Sequence, residues 1–267
     1  MNLRSTFPFR QLLSATVGVL TLTAAPAVFA QAPAAPAGSD YVVLKAPPAG
    51  GQPKAMVNVL ITGMRGTQVV VRDGPGEVAY DVSQIMEVRK TAPPEFGQAQ
   101  KSIEEGDFAK AVTLVKSITD KFKGLPVNWA QEATSMLGNL YLNLDKIAEA
   151  EIAISAYESA YRGSSAAGAN AAKARIAAAR GRFAEASAIA SGVVAGALSR
   201  KAVTRAENQI YGQGYFVLGQ CAEKEGKLSE AMENYARTVA IFYQERSVVA
   251  LAQKRIDELR KKGVTTP

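Results

Sequence analysis

Apolar and polar positions along the chain fall into three regimes. From Leu12 to Val28 the residues are apolar or small and carry no charge. Residues 41–88 then show short apolar stretches cut by turn residues. Tyr41 to Leu44 is followed by Pro47, Pro48, Gly50, Gly51 and Pro53, which break the chain. Residues 56–62 are rich in Val, Leu and Ile, Val69 to Val71 makes another run, and Val78, Tyr80 and Val82 alternate with small or polar residues. Alternation of period two marks a half-buried strand. Arg65-Gly66-Thr67 and Asp73-Gly74-Pro75-Gly76 supply turns, because glycine accepts the positive φ that tight hairpins demand. Ile85, Met86 and Val88 close the segment. Five short strands therefore predict a small all-β, barrel-like module over residues 40–91, with a plain β-meander packed on the helices as the simpler alternative. Ala92-Pro93-Pro94 ends it, since proline disfavours helix in the residue before it. From there to residue 262 the chain is alanine-rich and helical in pattern.

Within that helical region four segments align without gaps: residues 105–111, 144–150, 180–186 and 225–231. Each has a turn residue, Gly106, Asp145, Gly181 or Gly226. Two places on stands a large apolar residue, Phe108, Ile147, Phe183 or Leu228, and three further on an alanine, Ala111, Ala150, Ala186 or Ala231. The turn residue suits the left-handed end of a helix. The large residue pins the start of a second helix, and the alanine lets the two rods approach. A generic amphipathic bundle would share the helical period, but not a seven-residue signature repeated four times. Two of the turns are preceded by matching first helices: Leu137-Gly138 with Tyr141, and Tyr215 with Leu218-Gly219, followed later by Tyr235.

These residues resemble the tetratricopeptide repeat (TPR) family, in which an aromatic, Leu-Gly, Tyr, Ala, an aromatic and Ala recur on a helical hairpin. The resemblance covers about residues 92–262. It departs from the family in several places. Ala222 replaces the tyrosine of the last repeat, residues 92–125 keep only the second-helix half, and residues 167–198 carry Lys173-Ala174 where Leu-Gly belongs. The implied fold is mostly α: an α-solenoid of about four TPR-like hairpins plus a C-terminal capping helix over residues 247–262, whose apolar stripe is Val248, Leu251, Ala252, Ile256 and Leu259. The strand rhythm of residues 40–91 resembles SH3-like or Sm-like barrels, in shape only.

Composition narrows the chemistry. There is no histidine, which removes the commonest general base and metal ligand, and Cys221 is the single cysteine, so no intrachain disulfide or cysteine cage exists. The formal net charge is +7; Arg4 and Arg10 fall in residues 1–30, which hold no acid, leaving +5 beyond them. Arg4, Arg10, the apolar run and small residues at Val28 and Ala30 form a secretory-signal pattern, so residues 1–30 are expected to be removed near Ala30. The product is then exported, periplasmic or secreted. Residues 31–39 read as a Pro/Ala linker and residues 263–267 as a tail.

Candidate binding residues follow from the TPR resemblance, which places contacts on the first helix of each hairpin, one residue after the Leu-Gly glycine. Those positions are Gln100, Asn139, Arg175 and Gln220; Phe96 and Phe216 lie one turn earlier, and Glu223 three residues beyond Gln220. All four lead residues are polar and suit an extended peptide backbone. The carboxylate-binding basic clamp of some relatives is not supported, since Phe96, Ser135, Ala171 and Phe216 occupy its places. Gly212, Gly214 and Gly219 lack the spacing and preceding strand of a dinucleotide loop. Cys221 reads as a small buried residue and Trp129 as packing at a hairpin joint.

The sequence thus points to an exported, non-enzymatic scaffold or adaptor without cofactor or metal, holding a protein or peptide partner and no nucleic acid, with a role in cell-envelope assembly. The alternative is a structural self-assembly module that forms homo-oligomers through its β segment. Arg246, Lys254, Arg255, Arg260, Lys261 and Lys262 make the last helix basic, suited either to weak contact with an anionic membrane surface or to plain solvation.

Overall fold

The computed structural model describes residues 40–47, 50–164 and 167–265. The signal-peptide and linker expectations for residues 1–39 lie outside them. The β segment contains the five expected strands: β1 (Asp40–Leu44), β2 (Lys54–Arg65), β3 (Gln68–Asp73), β4 (Gly76–Asp81) and β5 (Ile85–Arg89). All pair antiparallel in the order β4-β3-β2-β1-β5. Strand β2 is longer than the pattern suggested and serves both halves of the sheet, pairing with β1 early and with β3 late. Its register shifts between Ile61 and Gly63, and a bulge of this kind bends a strand and increases its twist. Among the described residues β4 and β5 do not pair with each other, so hydrogen bonds do not close the sheet into a barrel. Asp81 caps the single turn of 3-10 helix between them in a reciprocal box with Gln84.

The sheet and the first helices share one core. Val42, Ile61, Val69 and Val71 pack with Phe96, Val115, Ile118, Phe122 and Ala130. Trp129 spans the junction: its Nε1 donates to the Lys90 carbonyl at 2.7 Å, and its ring meets Phe122 edge-on at 5.4 Å. Lys90 in turn donates to Asp40 at 2.9 Å, pinning the exit of β5 to the start of β1. The joint that Trp129 covers therefore includes the sheet as well as the hairpins.

Nine α-helices follow among the described residues. They form four hairpins: α1 (Pro94–Glu105) with α2 (Phe108–Phe122), α3 (Asn128–Asn143) with α4 (Ile147–Ala160), α5 (Ala167–Ala179) with α6 (Phe183–Val194), and α7 (Arg205–Lys224) with α8 (Leu228–Ala240); α9 (Arg246–Lys261) closes the stack. The fourfold signature lands where its chemistry required. Gly106, Asp145, Gly181 and Gly226 all have left-handed backbones, with φ of 81°, 58°, 77° and 77°. Each second helix begins at the large apolar residue, and Ala111, Ala150, Ala186 and Ala231 are fully buried at 0% exposure.

The close approach those alanines allow is completed from the first helix. A Cβ on Gly138 would lie 2.5 Å from Ile154, and one on Gly219 would lie 2.5 Å from Tyr235, so a larger residue at either place would force the facing side chain to move. The degenerate third repeat packs mainly through alanine: Ala171, Ala172, Ala174, Ala177 and Ala178 on α5 are buried, with Ile176, among α3, α4, α6 and α7. Gly212 and Gly214 also gain an explanation. Their Cα atoms face the Phe242 carbonyl and Val194, where a Cβ would come within 2.6 Å. On α9, Val248, Ala252, Ile256 and Leu259 are buried as expected, whereas Leu251 is exposed and leaves the predicted stripe.

Candidate inner-face binding site

The first helices of the hairpins face one another. A polar stripe on α3, Asn128, Glu132, Ser135, Asn139 and Asn143, repeats every three or four residues and so lies along one side of the rod. It confronts Ala206, Gln209, Ile210 and Gln213 on α7, a helix that starts at the Thr204–Glu207 capping box. Ile103 from α1, Ala167 and Gly168 from α5 and Glu245 from the α8–α9 connection complete a cavity of about 350 Å³. Its mouth continues toward Gln100 and Arg205, and Arg205 is ion-paired to Glu104 at 2.8 Å.

Two amide oxygens among the lining residues are buried and unpartnered among the described residues. Asn139 donates through Nδ2 to the Gly168 carbonyl at 3.1 Å, which leaves its Oδ1 buried without a partner among the described residues. Gln213 is 4% exposed and its Oε1 is likewise unpartnered. Enclosure by the neighbouring helices raises the Glu132 carboxyl above its ordinary range, opposed by a hydrogen bond from Gln100. Glu245 is buried and accepts from the Ser247 hydroxyl at 2.7 Å.

A second cavity, of about 280 Å³, opens between the α3–α4 turn, α5, α7 and α9, lined by Asp145, Arg175, Phe216, Gln220, Lys254 and Arg255 among others. Arg175 is buried here, donating to Asn143 at 2.9 Å. Burial pulls its guanidinium below the ordinary arginine range, while Glu245 and Asp145 act to raise it.

The seven sequence-predicted residues therefore do not form one surface. Asn139 lines the first cavity and Gln100 stands exposed at its mouth. Arg175, Phe216 and Gln220 line the second. Glu223 is held by Arg255 (Nε to Oε2, 3.0 Å) and accepts the Tyr235 hydroxyl at 3.1 Å. Phe96, expected on the concave face, is in the core against Trp129. Arg175, expected as an open contact, is enclosed because α5 touches helices on every side. Phe216 is mostly buried beneath Tyr235. Family positions gave Asn139 but missed Glu132, Gln209, Gln213 and Glu245; the stripe on α3 and the Gln209/Gln213 spacing on α7 were the available signal.

Elsewhere, Cys221 is buried, donates to the Phe183 carbonyl at 3.4 Å, and has its thiol pushed up to about 11 by burial and by Glu225. On α9, Arg255 is paired with Glu223 and Glu258, while Arg246, Lys254, Arg260, Lys261 and Lys262 are exposed. Among the described residues no helix is long and apolar enough to cross a membrane.

No protein-family model matches the chain. No curated protein matches it. Among solved structures the chain is similar to MamA, with 19% identity, 62% of this chain and 94% of that chain covered, and a TM-score of 0.34. It is also similar to the crystal structure of nearly identical TPR-like repeats of a kinesin-light-chain-type protein of Podosopora anserina, with 17% identity, 62% and 92% of the two chains covered, and a TM-score of 0.35.

Proposed function

We propose that this chain is a non-enzymatic scaffold that holds a protein partner along the inner face of its hairpin stack. The observation that carries the reading is the cavity between α3 and α7, with polar side chains at helical spacing and buried acceptors lacking protein partners. A fold that packs its rods closely at four buried alanines presents a shaped surface, which supports a scaffold reading. The arginine-bearing start and apolar run of residues 1–28 support export, and with it a place in the cell envelope. The strand order and the 3-10 turn before β5 support an SH3-like reading of the small sheet.

The test is quantitative affinity capture from the native host with the full chain, comparing wild type with Gln209→Trp and Met136→Arg, which fill or charge the groove. Partners retained by wild type and lost by both variants are expected. Equal capture by all three would refute an inner-face role.

Self-assembly through the β segment is a second reading, favoured by exposed Val78 on β4 and Met86 on β5, the two edges of the sheet. The same strands carry Glu77, Asp81, Glu87 and Arg89, and charges on an edge oppose strand addition. Light scattering of the purified chain separates the two readings, a concentration-independent monomer ending the second.

A further inference from the structure

We propose that the cavity between α3 and α7 receives a protonated primary amine on an apolar stem, presented as a lysine side chain of an extended peptide partner. This rests on the inner face being the partner-binding surface.

Asn139 and Gln213 both line this space, and each holds a buried amide oxygen without a partner among the described residues. A buried acceptor left unpaired keeps its desolvation penalty, and a donor-bearing ligand removes it. An ammonium group brings three donors and no acceptor, which matches the need. Charge points the same way. Among the described residues no lysine or arginine lines the cavity, whereas Glu132 and Glu245 do. Of the cations around it, Arg205 is ion-paired to Glu104 and the buried Arg175 donates to Asn143. Two carboxylates thus line this cavity in a chain whose formal charge is +7. A peptide carboxylate would meet repulsion here.

The walls select the stem. Ile103, Met136 and Ile210 flank the acceptors, and an alkyl chain covers such surface while its charged head reaches polar atoms. Separate single acceptors on two helices suit the compact ammonium better than guanidinium, whose planar fork favours a bidentate carboxylate. The mouth beside Gln100 and Glu132 lets the stem enter while the peptide backbone stays in the groove.

The experiment uses the full chain and fluorescence anisotropy with a labelled Ala/Ser peptide holding one central lysine. Its Nε-acetyl-lysine counterpart and free 1,5-diaminopentane are the comparison arms. Acetylation is expected to weaken binding about tenfold or more, since it removes charge-assisted bonds. Gln213→Leu is expected to weaken the lysine peptide about fivefold or more without lowering the melting temperature, because it deletes a buried unpaired acceptor. Should Gln213→Leu fold poorly, Glu132→Gln at the solvent-facing mouth is expected to produce a similar loss. Equal affinity for lysine and acetyl-lysine, or no saturable binding at millimolar peptide, overturns the proposal. Binding of diaminopentane but not of the peptide overturns the peptide source. If groove-filling variants lose a captured partner while the lysine peptide fails to bind, this inference falls alone; if they lose nothing, the inner-face reading falls with it.

Discussion

Gly219→Ala adds one methyl group where α7 meets α8. The new Cβ would lie 2.5 Å from Tyr235 Cε1 and 2.6 Å from Cδ1. Ordinary carbon contacts sit near 3.5–4.0 Å, so the ring or the whole of α8 must retreat by about 1 Å. The ring cannot swing away freely: Tyr235 is 0% exposed, rests on Phe216 at 5.8 Å between centroids, and donates its hydroxyl to Glu223 at 3.1 Å. Overpacking of this kind costs about 1–3 kcal/mol, and a pinned partner places it at about 2–3 kcal/mol. Replacing a helical glycine by alanine returns about 1 kcal/mol of backbone entropy. The net loss is about 1–2 kcal/mol, or about 2–8 °C in melting temperature for a chain of this size. Gly97→Ala on α1 is the internal control, because its Cβ would meet nothing within 4 Å. There the same chemical change is expected to stabilise by about 0.5–1 kcal/mol. Thermal and urea midpoints followed by far-UV circular dichroism measure both. If Gly219→Ala melts at or above wild type, the claim that hairpin closure depends on these small residues is wrong.

Three further outcomes are expected. Trp129→Phe keeps a ring against Phe122 but strips the donor from the Lys90 carbonyl, costing about 1 kcal/mol in urea melts; a null effect would uncouple the sheet from the helices. The Cys221 thiol, raised to about 11, is expected to resist thiol reagents at pH 8 in the folded chain and to react promptly in denaturant; fast native reaction would mean that α6 does not cover it. Asp81 is held down at about 2 from an ordinary 3.8 by bonds from Ser83 and Thr67. A depressed carboxyl stabilises the fold above its unfolded value and loses that contribution as pH falls through the folded one. The stability gap between wild type and Asp81→Asn is therefore expected to shrink between about pH 4 and pH 2, as read from urea midpoints across that window; a constant gap would contradict the capping role.

Much of the fold was legible because its constraints are local. A left-handed turn residue, a large apolar residue and an alanine sit within seven positions, and each side chain there has one job. The five strands were legible for the same reason, with turn glycines marking their ends. The site was less legible, since its walls come from helices distant in sequence. Of the family positions Asn139 lines the first cavity, but Arg175 sank into the stack because the alanines of α5 let neighbours close on every side. Phe96 was drawn into the core by Trp129, a residue thirty-three positions away whose partnership with the sheet no local pattern announces. Gln213 looks like any polar residue of an amphipathic helix until α3 is set opposite it. Glu245 lies in a connection, outside any helical period that would have pointed to the cavity.

Site-specific photo-crosslinking in the native host addresses the role of the inner face most directly. A photoreactive residue is placed at Gln209, which lines the cavity, and in a parallel strain at Lys110, exposed on α2. A defined protein adduct from position 209, absent from position 110 and suppressed by Met136→Arg, is the expected result. Adducts of equal yield from both positions, or none from position 209, would contradict it.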